Sequence, residues 1–191
     1  MSCARGILMR MFGRPEGVLG RLGGVIMART NYLAAKEVIG LLDVRAGDKV
    51  LEVGFGPGVG IKLMAERVSD GCVAGIDSSR EMVAQATARN SDAVACGRVD
   101  LRHGTAQALP FAEGTFDKAV AINSMQVWPD AGSGLREIRR VLKAGGKVAL
   151  GFTPYSGQPK NGVTELLTAA GFTKVQMVDR KNLFCALASK P

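Results

Sequence analysis

Beyond residue 30 the chain switches repeatedly between helical and strand-like spacing of its apolar positions. Tyr32, Leu33, Val38, Ile39, Leu41 and Leu42 recur as one helical face, with Thr30 or Asn31 placed as its N-cap. A polar turn over 43–48 leads into a short apolar strand signal, 49–53, and then into the glycine-rich stretch 54–60. Ile61, Met64, Ala65 and Val68 form the next helical face, which stops near Gly71. A second strand, 72–76, ends at Asp77. The run Ser78-Ser79-Arg80-Glu81 then reads as a capping box, with Ser78 accepting from the N–H near Glu81 and Glu81 reaching back. Further strands are predicted at 98–102, 117–122 and 146–152, and Leu135, Ile138, Val141 and Leu142 mark a helix between the last two. A short helix near 162–170 precedes two closing strands, 173–178 and 183–188.

Seven strands interleaved with helices predict an α/β fold, a Rossmann-like doubly wound sheet that is mostly parallel and covered on both faces. The last two strands are separated by too few residues for a crossover helix, so they predict an antiparallel C-terminal hairpin. Ligands of open sheets of this kind bind across the carboxyl ends of the strands. The candidate chemistry is therefore sought there.

Composition changes this picture in two places. The chain has 191 residues, 47% hydrophobic and 22% charged, which suits one globular domain with an appended segment. Glycine accounts for 25 of them, about twice the usual share, and this implies many tight turns and close backbone approaches. The net charge is +8, and it is uneven. Residues 1–36 hold Arg5, Arg10, Arg14, Arg21, Arg29 and Lys36 against Glu16 alone. The first segment, 1–30, is thus set apart from the domain expected over 31–191. No apolar run is long enough for a transmembrane helix, and Arg10 and Arg14 interrupt any secretory signal. Cys3, Cys72, Cys96 and Cys185 are too widely spaced for a zinc site or a disulfide framework. The expectation is a cytoplasmic protein with reduced thiols and no metal.

The most informative stretch is Val50-Leu51-Glu52-Val53-Gly54-Phe55-Gly56-Pro57-Gly58. It runs from a strand through glycines into a helix, where bare backbone N–H groups can approach a ligand. The dinucleotide fingerprint fails, because Val59 stands where a third Gly or Ala is required. Glu52, two positions before the first glycine, suits a cationic ligand better than a pyrophosphate. Asp77, ending the next strand, can accept both hydroxyls of a ribose.

With these residues the chain resembles the class I S-adenosylmethionine (SAM)-dependent methyltransferases, and most of all the small-molecule enzymes akin to ubiquinone/menaquinone-biosynthesis C-methyltransferases. The resemblance rests on 50–58, on Gly75-Ile76-Asp77-Ser78, on Gly104-Thr105-Ala106-Gln107-Ala108-Leu109-Pro110-Phe111, on Phe116-Asp117, and on 138–146. It implies SAM as cofactor. Gly54, Phe55, Gly56 and Gly58 would lie under its methionine part, with Glu52 near the amino group. Asp77 would take the ribose, and Ser78, Met82, Thr105 and Ala106 the adenine. Relatives commonly carry Asp where Thr105 stands. Asn123 would sit near the donor methyl, with Tyr32, Gln126, Trp128 and Tyr155 as candidates for the acceptor pocket. Methyl transfer is an in-line displacement that needs no dedicated base, and none is singled out; His103 is expected beside the cofactor.

The acceptor is expected to be a small or lipid-like molecule. The Pro-Pro-aromatic run of amino-methyltransferases acting on nucleic acid is missing after Asn123, and no cysteine follows a proline as a C5 nucleophile would. Nucleic acid is disfavoured as partner, although an RNA or protein methyltransferase using the basic face is the runner-up. A SAM-binding regulatory subunit is the non-enzyme alternative. In the N-terminal segment Ile7, Leu8, Met11, Phe12, Val18, Leu19, Leu22, Val25 and Ile26 recur at helical spacing opposite arginines. Three readings stay open for it: a lid over the cleft, a peripheral membrane contact through residues 1–28, or a cleaved presequence.

Overall fold

The computed structural model describes residues 31–191. The expectations placed on residues 1–30, the segment boundary and a Thr30 cap among them, lie outside the described residues.

The described elements run α1 (31–42), β1 (Lys49–Val53), α2 (Val59–Ala65), β2 (Cys72–Asp77), α3 (Arg80–Arg89), α4 (Ser91–Ala95), β3 (Val99–His103) and β4 (Phe116–Ile122). Then follow α5 (Ala131–Val141), β5 (Leu142–Phe152), α6 (Val163–Ala169), β6 (Thr173–Arg180) and β7 (Leu183–Ser189). One-turn 3-10 helices, Met125–Val127 and Pro154–Ser156, follow β4 and β5. The seven strands form one sheet in the order β3-β2-β1-β4-β5-β7-β6. β1 through β5 pair in parallel, while β7 runs antiparallel to both β5 and β6. The α/β class and the closing hairpin are as the pattern predicts.

Each face of the sheet carries its own core. Leu51, Val53, Ala119 and Leu150 point to one side, where Leu135, Ile138 and Val141 of α5 and Val163 and Leu167 of α6 cover them. Val50, Val73, Val120 and Ala149 point to the other, beneath Val38, Ile39 and Leu42 of α1 and Ile61 and Met64 of α2. The near-continuous apolar strands follow from this double coverage. Truncating a side chain as enclosed as Ile138 costs about 2–5 kcal/mol through lost contacts and the cavity left behind.

Three local expectations are corrected. The buried face of α1 is Ala34, Ala35, Val38, Ile39 and Leu42, while Tyr32 and Leu33 are exposed. Small alanines let α1 lie close to the sheet, which a Tyr-Leu face would prevent. Asn31 is itself helical and so is no cap. The cap of α3 is Ser79, whose Oγ accepts from the Met82 N–H at 3.3 Å, one residue later than the capping-box reading. The shift arises because Asp77 Oδ1 already accepts the Ser79 N–H at 2.9 Å and fixes the turn before the helix.

At the amino end of the sheet, opposite the carboxyl ends, Lys118 is buried against Asp48 at 2.8 Å and donates to the Asp43 carbonyl. This pair ties β4 to the turn before β1. Among the described residues no helix is long and apolar enough to cross a membrane, and no cluster of His, Cys, Asp or Glu could hold a metal.

Candidate active site

The carboxyl ends of β1, β2, β3 and β4 open into a cleft of about 760 Å³. Every residue expected to contact the cofactor lines it except Gly58; Trp128 lines it too. Tyr32, Gln126 and Tyr155 do not.

The glycine loop forms the floor. The Gly54 N–H donates to the Ile76 carbonyl at 2.8 Å, holding the end of β1 against β2. Gly56 has φ +53 and nothing within 4 Å of where a Cβ would stand, so its bare backbone borders the cleft directly. Gly58 faces the other way. It begins α2 with φ +80, and a Cβ there would stand 2.7 Å from the Ala86 Cβ of α3. Its glycine is a packing requirement between two helices, which the sequence reading took for ligand contact.

Two carboxylates face the floor. Glu52 is 3% exposed, held by the Ile61 N–H, and its Oε2 has no hydrogen-bond partner. Its carboxylate lies against Gly60, where any Cβ would collide with it. Burial, reinforced by the charge of nearby Asp77, pushes the Glu52 carboxyl up to about 8. An orphaned buried carboxyl oxygen is a standing demand for a donor, and a cationic one satisfies it best. Asp77 accepts the Ser79 N–H through Oδ1 and the Gly56 N–H through Oδ2 at 2.8 Å. Each oxygen keeps a lone pair for a further donor, the arrangement a vicinal diol requires. Burial raises the Asp77 carboxyl, and these two N–H groups and His103 oppose it. His103 faces the Ser78 carbonyl with Nε2 at 3.1 Å, beside the cleft as expected.

The opposite wall is Gly104-Thr105-Ala106-Gln107, a loop closed by a bridge between Thr105 and Ala108. It is held from behind by α5. Glu137 Oε2 accepts the Leu109 N–H at 2.9 Å, while Arg140 donates to the Leu109 and Phe111 carbonyls at 2.9 and 2.8 Å and pairs with Glu137 at 2.6 Å. Thr105 is exposed and Ala106 buried, so this wall is mainly backbone. The sequence reading missed this clamp. Its only trace is an acid–base pair three residues apart on the polar side of an amphipathic helix that also carries Arg136 and Arg139. Arg89 and Asn90 at the end of α3 were missed as well; they donate to the Pro57 and Gly58 carbonyls at 2.7 and 3.2 Å and so hold the glycine loop.

At the end of the cleft beyond β4, the residues expected near the donor methyl and the acceptor are placed as follows. Asn123 lines the cleft, but its side chain is engaged on both sides. Nδ2 donates to Asn31 Oδ1 at 3.0 Å, and Oδ1 accepts the Thr153 N–H at 2.8 Å. Its φ of +49 is rare for a residue with a side chain, and Asn tolerates it better than most. Asn123 thus joins α1, β4 and β5 at one node. Gln126 turns back, with Nε2 donating to the Asn123 carbonyl at 2.7 Å, and is thereby kept out of the cleft. Tyr155 is 91% exposed, because the 3-10 turn 154–156 carries it away from the opening. Tyr32 is exposed beside the opening. Trp128 lies against Gly134 of α5, which lacks the Cβ that would collide with its ring, and so serves core and cleft together. Val127 lines the cleft and is 46% exposed.

Residues 50–146 match the family described as a methyltransferase domain. The chain is 32% identical over 183 residues to the uncharacterized methyltransferase YdaC of Bacillus subtilis, covering 89% of this chain and 98% of that one. It is 34% identical over 128 residues to a demethylmenaquinone methyltransferase of Bacillus cereus, covering 66% of this chain and 54% of that enzyme. Among solved structures, a SAM-dependent methyltransferase from Aquifex aeolicus superposes with a TM-score of 0.75 at 21% identity, covering 84% of this chain and 93% of the other, a likeness of fold. With the sheet order, the bare-backbone floor and the two carboxylates in place, the chain belongs to the class I SAM-dependent methyltransferases, and SAM is its cofactor.

Proposed function

We propose that this methyltransferase acts on a small, largely apolar or lipid-like acceptor. The observation that carries the reading is the lining of the cleft, which among the described residues includes one arginine, Arg80, and no lysine, against Glu52, Asp77 and Glu81. A polyanionic acceptor such as RNA needs a basic track to neutralise its phosphates. Here the acceptor end is instead Val127, Trp128 and Pro129. The demethylmenaquinone methyltransferase among the relatives supports an acceptor of this kind.

The chain's own residues divide the work. The Gly54–Gly56 backbone forms the bed for the methionine part, and Glu52 Oε2 takes its ammonium group. Asp77 accepts the ribose hydroxyls. Ser78, Met82, Thr105 and Ala106 enclose the adenine, with the 105–111 loop held in place by Glu137 and Arg140. SAM supplies a methyl group on a sulfonium, which the acceptor displaces in line. Among the described residues, Val127, Trp128 and Pro129 form the acceptor end of the lining, so these walls contribute by orienting the acceptor and excluding water. Orientation alone can lower such a barrier by about 7–11 kcal/mol.

The test is labelled SAM incubated with the protein and with separate lipid, small-molecule, RNA and protein fractions. Label is expected in the lipid or small-molecule fraction. Label confined to RNA or protein would overturn the reading.

A further inference from the structure

The methionine part of SAM ends in an ammonium and a carboxylate on the same carbon. Glu52 Oε2, buried without a donor, suits the first. The carboxylate needs donors of its own, the more so beside Glu52 and Asp77. The glycines of the loop do not offer theirs. The Gly54 N–H goes to the Ile76 carbonyl at 2.8 Å, the Gly56 N–H to Asp77 Oδ2 at 2.8 Å, and the Gly58 N–H to the Phe55 carbonyl at 3.1 Å. Ser124, which meets the floor at Gly54, donates its hydroxyl to the Val53 carbonyl at 2.7 Å. Arg80, the one arginine of the lining among the described residues, opens α3 just after Asp77 and so stands on the ribose side.

Asn31 has what these groups lack. It lines the cleft at the start of α1, and Ala35, one turn on, lines it too, so this face of the helix borders the cleft. Its amide is oriented by bonds whose directions follow from the main chain. The Thr153 N–H can only donate, so the Asn123 atom 2.8 Å from it is Oδ1. The other end of that amide is Nδ2, which donates to Asn31 at 3.0 Å and fixes the receiving atom as Asn31 Oδ1. Asn31 Nδ2 is left over, with two N–H groups and no acceptor among the described residues. The sheet order puts this donor at the methionine end. Asp77 of β2, Glu52 of β1 and Asn123 of β4 stand at the carboxyl ends of successive strands, so a ligand with its ribose at Asp77 and its ammonium at Glu52 runs toward Asn123. The chain after β4 adjoins the floor itself, since a Cβ on Gly54 would stand 2.4 Å from the Ser124 Cβ.

From this we infer that Asn31 binds the carboxylate of the SAM methionine part through Nδ2, held in that orientation by Asn123 and Thr153. The inference rests on the reading above in which Glu52 takes the ammonium and Asp77 the ribose. Asn123 acts through Asn31 as a positioning residue. With the Asn31 amide turned the other way, Oδ1 would face the carboxylate and repel it.

The experiment is calorimetry on the full chain with three ligands: SAM, decarboxylated SAM, which keeps the ammonium, and 5′-methylthioadenosine, which lacks the whole amino-acid chain. Asn31→Ala is expected to weaken SAM about 10–30-fold, the loss of a hydrogen bond to a charged group, and to change the other two ligands by less than about twofold. Asn31→Asp keeps an oxygen for Asn123 but turns a second one to the cleft, and is expected to weaken SAM at least as much while sparing decarboxylated SAM. Asn123→Asp keeps the acceptor for the Thr153 N–H, removes the donor to Asn31, and is expected to give the same split. Unchanged binding of 5′-methylthioadenosine reports that each variant is folded. Equal losses for SAM and decarboxylated SAM in Asn31→Ala would reduce Asn31 to a structural role and overturn the inference, as would unchanged SAM binding. Glu52→Gln is expected to weaken SAM and decarboxylated SAM together, because both carry the ammonium. If it weakened neither, the ammonium site would fall and this inference with it.

Discussion

Around Asp77 the cleft is made of main chain held from behind. Gly56 and Ser79 N–H groups fix the carboxylate, Asn90 and Arg89 hold the carbonyls of the loop, and Glu137 with Arg140 pins the opposite wall. Around Val127 and Tyr155 the surface is made of exposed side chains on single 3-10 turns, tied down by Asn123, by Ser124 on the Val53 carbonyl and by buried Met125. The difference teaches how one fold keeps its cofactor and changes its acceptor. The cofactor end of the cleft is backbone, with Asp77 held by two N–H groups and Glu52 by one, so few substitutions are expected to be neutral there. The end proposed for the acceptor is carried by short turns, where exposed side chains such as Val127 can vary without disturbing the sheet.

The comparison is broken most directly at Asp77. Asp77→Ala is expected to weaken SAM binding by about 30–150-fold, the loss of about 2–3 kcal/mol from charge-assisted hydrogen bonds, measured by calorimetry. Trp128→Ala is expected to change SAM affinity by less than about threefold while raising the acceptor KM. Equal losses of SAM affinity in both variants would erase the distinction between the two ends.

Next comes Gly58, which belongs to the packing behind the floor. Gly58→Ala is expected to cost about 2 kcal/mol in urea unfolding, from the contact with Ala86 and the strained φ. An unaffected midpoint would return Gly58 to the ligand-binding set.

Titration of Glu52 sharpens the cofactor side further. With its carboxyl raised to about 8, Glu52 is largely neutral in the free protein at pH 7, and on the proposed role it ionises to take the ammonium. SAM affinity is therefore expected to rise about tenfold between about pH 6.5 and pH 8, and Glu52→Gln is expected to flatten that rise. For the protein without SAM the sign is opposite. Because the folded value lies above the ordinary one, the stabilisation is complete below the usual carboxylate range and disappears as pH climbs through about 8. The melting temperature of the wild type is expected to fall relative to Glu52→Gln over that window.

The smallest expected effect is at the α5 clamp. Glu137→Gln keeps one acceptor for the Leu109 N–H but loses the charge opposite Arg140, a pair that is partly exposed. A stability loss of about 1 kcal/mol and a SAM affinity lower by about threefold are expected, with kcat for saturating SAM unchanged. A fall in kcat instead would place the clamp in the chemistry rather than in the wall.

Much of the cofactor end was legible because its signals are local. The run from Val50 to Gly58 is a strand, a turn and a helix start in nine residues, and Asp77 ends a strand of its own. Gly58 lies outside the cleft lining, and the contact that requires a glycine there is with Ala86, on another helix. Asn123 was placed in the right cleft, yet its partners Asn31 and Thr153 lie 92 and 30 residues away along the chain. The Glu137–Arg140 clamp reaches a loop 28 residues earlier and left no periodic mark.

The sequence by itself determined the order of the elements, the parallel sheet with its antiparallel close, and the two carboxylates with the glycine loop between them. These follow from periodicity, turn chemistry and chain order, all carried by neighbouring residues. Only the tertiary structure decided that α1 buries its alanines and exposes Tyr32 and Leu33, that Asn123 is a joint, and that Glu137 and Arg140 reach the loop at Leu109 and Phe111. Those outcomes depend on which strands lie side by side. In the order β3-β2-β1-β4-β5-β7-β6 most of the contacts that shape the site cross tens of residues, a distance at which hydrophobic periodicity carries no information.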